Sequence, residues 1–137
     1  MIVDASAMLA ILLDEPDARK FSDAIGLCEG ARIPAPNWLE VAMKIESMTA
    51  LAGSGQNFAD SILAFYMARK LIQIEPYTEE HSSLARVAFR RFGKGRHPAG
   101  LNFGDCIAYS VAKFENAPLL FKGNDFIHTD IEPALKS

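Results

Sequence analysis

Residues 100–110 read Gly100-Leu101-Asn102-Phe103-Gly104-Asp105-Cys106-Ile107-Ala108-Tyr109-Ser110. A glycine-containing loop precedes this stretch, and apolar residues continue beyond it at helical spacing. The pattern predicts a helix that starts near Asp105 and buries one face. An acid in the first turn of a helix can simply cap it or interact favourably with its dipole. However, Asp4, Glu40 and Asp125 also follow short apolar runs, which favours a shared functional role.

Strand-like and helical patterns alternate along the whole chain. The strands are expected at 1–4, 32–35, 71–74 and 117–122, with a short edge strand within 129–135. The first three helices are expected at 6–13, after Glu15-Pro16-Asp17, and from Pro36-Asn37 to a break at Gly53-Ser54-Gly55. A fourth helix is expected around 58–66, with Phe58, Ile62, Phe65 and Tyr66 on its core side. A fifth is expected at 79–92, with Thr78 as its cap. This alternation predicts an α/β fold with a mostly parallel sheet of four to five strands, covered by helices on both faces.

The composition is that of a globular protein. The chain has 137 residues, of which 50% are hydrophobic and 23% are charged. We expect one domain spanning residues 1–137, since we find no linker, internal repeat or low-complexity segment. No apolar run approaches the ~18 residues of a membrane span, and no signal peptide is recognised at the start. Cys28 and Cys106 match no metal-site spacing, and two such thiols fit a cytoplasmic location.

The four acids Asp4, Glu40, Asp105 and Asp125 are candidates for a single site. In a parallel sheet, the carboxyl ends of all strands lie at one edge, and right-handed crossovers can bring the first and fourth strands side by side. Two carboxylates ~4 Å apart repel by about 4 kcal/mol at an effective dielectric constant of 20. A divalent cation would remove that penalty, and an all-carboxylate set selects a hard ion such as Mg²⁺ or Mn²⁺.

Each of these acids also has a purely structural interpretation. Asp4 can cap the helix that follows it, and Glu40 can complete a capping box with Asn37. Asp125 can form an Asx-type turn after Gly123 and Asn124. Asp130 is close enough in sequence to be a fifth acid, for which a turn or cap is the favoured interpretation.

Five basic residues follow one another with no acid between them. This basic stripe consists of Arg86, Arg90, Arg91, Lys94 and Arg96. The overall net charge of −3 argues against a polyanionic partner, whereas the local stripe is suited to nucleic-acid phosphates. The alternative interpretation is a solvated helix face beside a loop.

The run from Ala7 to Leu13 is too apolar for a helix with one wet face. It is either buried on two sides or covered on one side by a partner. Together with Met43, Met48, Phe65 and Met67 it predicts a dimer contact and a groove for an amphipathic segment.

Four stretches of the chain resemble motifs of PIN domains, in the expected order and from end to end. They are Met1-Ile2-Val3-Asp4-Ala5-Ser6, Asn37-Trp38-Leu39-Glu40-Val41, Asn102-Phe103-Gly104-Asp105-Cys106, and Phe121-Lys122-Gly123-Asn124-Asp125-Phe126 with Thr129-Asp130-Ile131 behind it. The third and fourth resemble the motifs of VapC-type toxins and are the most specific.

The resemblance implies a three-layer α/β/α PIN-like domain and a Mg²⁺- or Mn²⁺-dependent endoribonuclease. It further implies the toxin of a type II toxin–antitoxin pair that cleaves tRNA or rRNA, forms a homodimer and is inhibited by a VapB-type antitoxin. The four acids would be catalytic and would bind the metal, and Ser6 would orient Asp4 or a bound water. The alternatives are a haloacid-dehalogenase-like phosphatase, which would require an Asp where Ser6 stands, and a non-catalytic partner-binding module.

Overall fold

The structure, a computed structural model, describes residues 1–52 and 55–136. The strands are β1 (Ile2–Val3), β2 (Arg32–Pro34), β3 (Gln73–Glu75) and β4 (Leu119–Leu120). The helices are α1 (Ala5–Leu12), α2 (Ala18–Gly26), α3 (Ala35–Ala52), α4 (Gly55–Ala68), α5 (Glu79–Phe92) and α6 (Phe103–Glu115), and a short 3₁₀ helix covers Phe126–His128. In this part of the chain, no helix is long and apolar enough to cross a bilayer.

The sheet is parallel, and its strand order is β3-β2-β1-β4. Ile2 and Val3 of β1 lie opposite Leu119 and Leu120 of β4. The first and fourth strands are therefore neighbours, as predicted, and the segments that follow them leave the same edge of the sheet. The edge strand expected within 129–135 is reduced to a single bridge between Leu119 and Pro133, so the described sheet has four strands.

Successive residues of the central strands lie on opposite faces of the sheet and belong to different hydrophobic cores. Val3 and Leu120 belong to a core with α1, α2, α3 and α4, whereas Ile2 and Leu119 belong to a second core with α5 and α6. This alternation follows from the two-residue period of a strand. Together the two cores give the predicted α/β/α architecture of three layers.

Helix α1 is buried almost all round by the protein itself. Ala7, Met8, Ala10, Ile11 and Leu12 are all buried, which explains why the sequence has no polar face there. A partner is therefore not needed to account for this run.

Two aromatic residues of α4 are more exposed than we predicted. Among the residues of α4 from Phe58 onward, the buried positions are Ala59, Leu63 and Tyr66, at spacings of four and three residues. Phe58 and Phe65 are 63% and 50% exposed, so their predicted place on the core side is wrong. The aromatic residues indicated the wrong face of the helix, because a small residue, Ala59, packs against the core where an aromatic residue was expected.

The boundaries of α3 also differ from the prediction. The helix begins at Ala35, directly after β2, because Pro36 is tolerated in the first turn where its missing N–H needs no partner. Glu40 consequently lies in the second turn rather than the first. Gly53 and Ser54, two residues of the predicted break, lie outside the described residues.

Candidate active site

Asp4 is a buried acid at the carboxyl end of β1. It is 4% exposed and forms the N-cap of α1. Its Oδ2 accepts a hydrogen bond of 3.0 Å from the backbone N–H of Ser6 and another from the Ser6 hydroxyl. The predicted cap therefore exists, and the same contacts fix the orientation of the carboxylate.

Ser6 also connects this acid to the neighbouring strand. Its Oγ accepts a hydrogen bond of 2.9 Å from the backbone N–H of Lys122, which lies just beyond β4. One hydroxyl thus joins the end of β1 to the segment that leads to Asp125.

The surroundings of Asp4 disfavour its charged form. Burial, followed by the charges of Asp105 and Glu40, raises the pKa of Asp4 to about 7. The hydrogen bonds from Ser6 act in the opposite direction but do not outweigh burial. At neutral pH, Asp4 is consequently poised between its neutral and charged forms when no cation is bound.

Asp105 is the third residue of α6 and forms a capping box with Asn102. The backbone N–H of Asn102 donates to Asp105 Oδ2 at 3.1 Å, and the N–H of Asp105 donates to Asn102 Oδ1 at 2.9 Å. Burial raises the pKa of Asp105, and the charges of Asp125 and Glu40 raise it further. Asp105 is therefore a cap and also lies within the electrostatic reach of the other acids.

Glu40 approaches α6 from the facing helix α3. Its carboxylate packs against Gly104, where a Cβ would lie 2.8 Å from Glu40 Oε1. The predicted capping box between Asn37 and Glu40 is not formed. Asn37 lies inside α3, and its Nδ2 instead donates to the carbonyl oxygen of Gly104 at 3.1 Å.

Asp125 is exposed at the protein surface, as is Glu40. It directly precedes the 3₁₀ helix, and its side chain makes no capping hydrogen bond there. Its charge raises the pKa of Asp105 but is not among the influences on Asp4. The charges of Glu40 and Asp105 thus act on Asp4, and the charges of Glu40 and Asp125 act on Asp105. Asp125 is therefore connected to the other acids by its electrostatic effect on Asp105.

Three of these acids are crowded without a compensating cation. In the described residues, none of the four acids forms an ion pair with Lys or Arg. Carboxylate oxygens held this way suit a hard divalent cation, which would relieve their repulsion. Yet no group of three or more acid, His or Cys side chains within 1–52 and 55–136 already has the geometry to hold a metal. The donor chemistry of these carboxylates nevertheless fits a hard divalent cation, which can be bound by one or two carboxylates and several waters.

Asp130 is engaged elsewhere. It accepts hydrogen bonds from Tyr109 Oη at 2.7 Å and from Lys113 Nζ at 2.9 Å, and it lies 3.6 Å from an Arg91 nitrogen. Although partial burial opposes it, these hydrogen bonds hold the pKa of Asp130 below its usual value. Asp130 therefore ties the C-terminal segment to α6 and neutralises two cations.

The basic stripe divides into paired and unpaired members. Arg91 pairs with Asp130 and covers the ring of Phe92, and Arg96 covers the ring of Phe89. Arg86, Arg90 and Lys94 are exposed, and no ion pair is present for them in the described part of the chain. Arg96 likewise has no ion pair in the described residues, so Arg91 is the member of the stripe whose charge an acid offsets.

Sequence reasoning did not identify two residues that shape the site, Asn37 and Gly104. They lie within the two motifs that contain Glu40 and Asp105, in which the acids are the conspicuous residues. The sequence suggests only a cap for Asn37, and it does not show what the missing side chain of Gly104 faces. Their roles depend on the packing of α3 against α6, which sequence alone does not give.

The whole chain is similar to known ribonucleases. A family model described as "PIN domain" matches residues 1–132. Ribonuclease VapC30 of Mycobacterium tuberculosis is 40% identical over 131 residues, covering 96% of this chain and 95% of the relative. Ribonuclease VapC28 of the same species is 40% identical over 140 residues, covering 98% of both chains.

A solved structure shares the fold. It is that of Mycobacterium tuberculosis VapC20, described as a sarcin–ricin loop cleaving toxin. The TM-score is 0.67 at 12% sequence identity, covering 96% of this chain and 98% of that one. The match at low identity supports the fold, and the 40% identical relatives carry the family assignment. The chain belongs to the PIN-domain family and, within it, to the VapC ribonuclease toxins, which cleave RNA.

Proposed function

We propose that this chain is an endoribonuclease that depends on Mg²⁺ or Mn²⁺ held by Asp4, Glu40, Asp105 and Asp125. The observation that carries the proposal is the buried carboxylate of Asp4, which faces the charges of Asp105 and Glu40 with no Lys or Arg paired to it in the described residues. Burying a carboxylate beside other negative charges lowers the stability of the fold unless a bound cation compensates the charge.

The side chains have distinct tasks in this proposal. Ser6 holds one oxygen of Asp4, so the acid presents a fixed edge to the site. The capping box holds Asp105 at the start of α6, and Asp125 supplies a further carboxylate from the segment that follows β4. A bound divalent ion would neutralise these carboxylates, lower the pKa of a water and stabilise charge on the phosphodiester.

The substrate proposed is cellular RNA of the tRNA or rRNA class. Arg86, Arg90 and Lys94 of the basic stripe would contact the phosphates, since they have charge without an acidic partner in the described residues. Arg91 contributes more weakly because Asp130 already offsets its charge, whereas Arg96 stacks on Phe89 and keeps its charge.

We further propose inhibition by a VapB-type antitoxin and a homodimer of single-domain chains acting in the cytoplasm. The exposed apolar side chains of Leu39, Met43, Phe58 and Phe65 support a partner-binding surface. Their exposures of 52%, 62%, 63% and 50% are unusual for large apolar residues on neighbouring helices.

RNA cleavage by the purified chain tests the proposal. We expect cleavage with Mg²⁺ or Mn²⁺, none with a chelator, and none from an Asp4→Asn variant under either condition. Cleavage that persists in the chelator would contradict metal dependence. A folded wild-type chain that never cleaves RNA, but binds an antitoxin, would favour the alternative of a non-catalytic module.

A further inference from the structure

Gly104 is a glycine that its backbone does not require. It lies in the first turn of α6, and it is not among the glycines with positive φ. A Cβ at this position would nevertheless lie 2.8 Å from Glu40 Oε1 and 3.6 Å from Glu40 Cδ. The carboxylate of Glu40 therefore occupies space that any other residue at 104 would fill.

Asn37 contacts the backbone of the same residue. Its side chain is fully buried, and its Nδ2 donates to the Gly104 carbonyl at 3.1 Å. Because Asn37 lies three residues before Glu40, it belongs to the adjacent turn of α3. One turn of α3 fixes the start of α6, and the next turn places a carboxylate against it.

We propose that Gly104, held by Asn37, is a positioning residue that lets Glu40 approach Asp105. This inference rests on the proposed function, in which Glu40 and Asp105 bind one metal ion. The absent side chain at 104 sets the separation of these two carboxylates. Gly104 itself need not touch metal or RNA.

The proposal predicts that stability and metal affinity respond differently to Gly104→Ala. Alanine is the better helix former, and the atom it would displace is the flexible end of Glu40. The metal-free protein should therefore melt at the same or a higher temperature. The displaced carboxylate should weaken Mn²⁺ binding by about 10- to 100-fold, the usual effect of losing a residue that orients a ligand.

The experiment measures Mn²⁺ affinity by titration calorimetry or electron paramagnetic resonance, and metal-free melting by circular dichroism. Gly26→Ala is the matched control, because a Cβ at Gly26 meets no atom within 4 Å. It should leave Mn²⁺ affinity unchanged. Asn37→Ala should lower the affinity as well, with some loss of stability because it removes a buried hydrogen bond.

A double-mutant cycle separates positioning from a general structural effect. If Gly104 acts through Glu40, then Gly104→Ala should have no further effect on Mn²⁺ affinity in a Glu40→Ala background. Equal losses in both backgrounds would overturn the inference, as would a Gly104→Ala protein that binds Mn²⁺ like Gly26→Ala. If the wild type binds no Mn²⁺, or Glu40→Ala binds it normally, the proposed role of Glu40 fails and the inference fails with it.

Discussion

Asn102 and Asp105 exchange hydrogen bonds of 3.1 and 2.9 Å across the first turn of α6. One oxygen of Asp105 is used for this capping box, while the charge of the carboxylate is felt by Asp4. A capping acid and a metal-binding acid are thus compatible in one residue. The cap fixes the position of the carboxylate, and the nearby acids support the metal-binding role that we propose for it.

The metal-free protein should become less stable as the pH rises from about 4 to about 7. Burial raises the pKa of Asp4 from 3.8 to about 7, so in this window the folded protein keeps a proton that the unfolded chain has lost. The resulting loss in unfolding free energy is about 4 kcal/mol at most. Chemical denaturation at several pH values measures it.

Asp4→Asn is the reference for this effect, because its amide oxygen can still accept from Ser6 and it does not titrate. The wild type should lose stability relative to the variant as the pH rises. The opposite trend would show that the environment of Asp4 favours its charge.

Millimolar Mg²⁺ or Mn²⁺ should raise the melting temperature. A ligand that binds only the folded state at 100 times its dissociation constant adds about 2.7 kcal/mol to the unfolding free energy. Asp130→Asn is the matched acid replacement: it should lower stability because it removes the negative charge paired with Lys113 and Arg91, yet keep the response to metal. A response lost in Asp130→Asn would place that residue in the metal site.

Replacing Arg86 and Arg90 together with Gln should weaken RNA binding and leave metal binding unchanged. Two lost phosphate contacts should reduce the slope of log affinity against log salt by about 1.4 for single-stranded RNA. Filter binding at several salt concentrations provides the measurement. Arg91→Gln should change the slope less, since Arg91 lies 3.6 Å from Asp130. An unchanged slope in the double variant would identify the stripe as a solvated face.

Met43→Asp or Phe65→Asp should weaken antitoxin binding or dimer formation, because each places a charge in an exposed apolar surface. Light scattering and titration with a VapB-type antitoxin measure the two effects. Neither change should unfold the protein. In contrast, Met8→Asp should destabilise the fold, since Met8 is buried in the core. Normal assembly of both exposed-site variants would contradict a partner role for this surface.

The sequence was most informative where local chemistry decides the structure. The Thr78 cap and the bounds of α5 are as predicted, and so are the parallel sheet and the neighbouring places of β1 and β4. The exposed faces of Phe58 and Phe65 were not foreseen, because residue type alone does not show which stripe of α4 meets its neighbours.

For the site as well, the sequence indicates local features but does not indicate contacts between distant elements. The four acids stand out in the sequence as candidates because they follow short apolar runs, and their role in one site stays a prediction. The contact between Glu40 and Gly104, and the bond from Asn37 to Gly104, could not be predicted, since they arise only where α3 packs on α6. The ion pairs of Asp130 likewise depend on where the C-terminal segment meets α6.

The most direct test of the metal-dependent ribonuclease is RNA cleavage by Asp105→Asn, measured beside its melting temperature with and without Mn²⁺. Asparagine keeps an oxygen that can accept from Asn102, so the metal-free variant should be as stable as the wild type or slightly more so. Its stabilisation by Mn²⁺ should shrink, and cleavage should disappear. An Asp105→Asn protein that cleaves RNA at the wild-type rate with an undiminished response to Mn²⁺ would reduce Asp105 to a helix cap and contradict the proposed site.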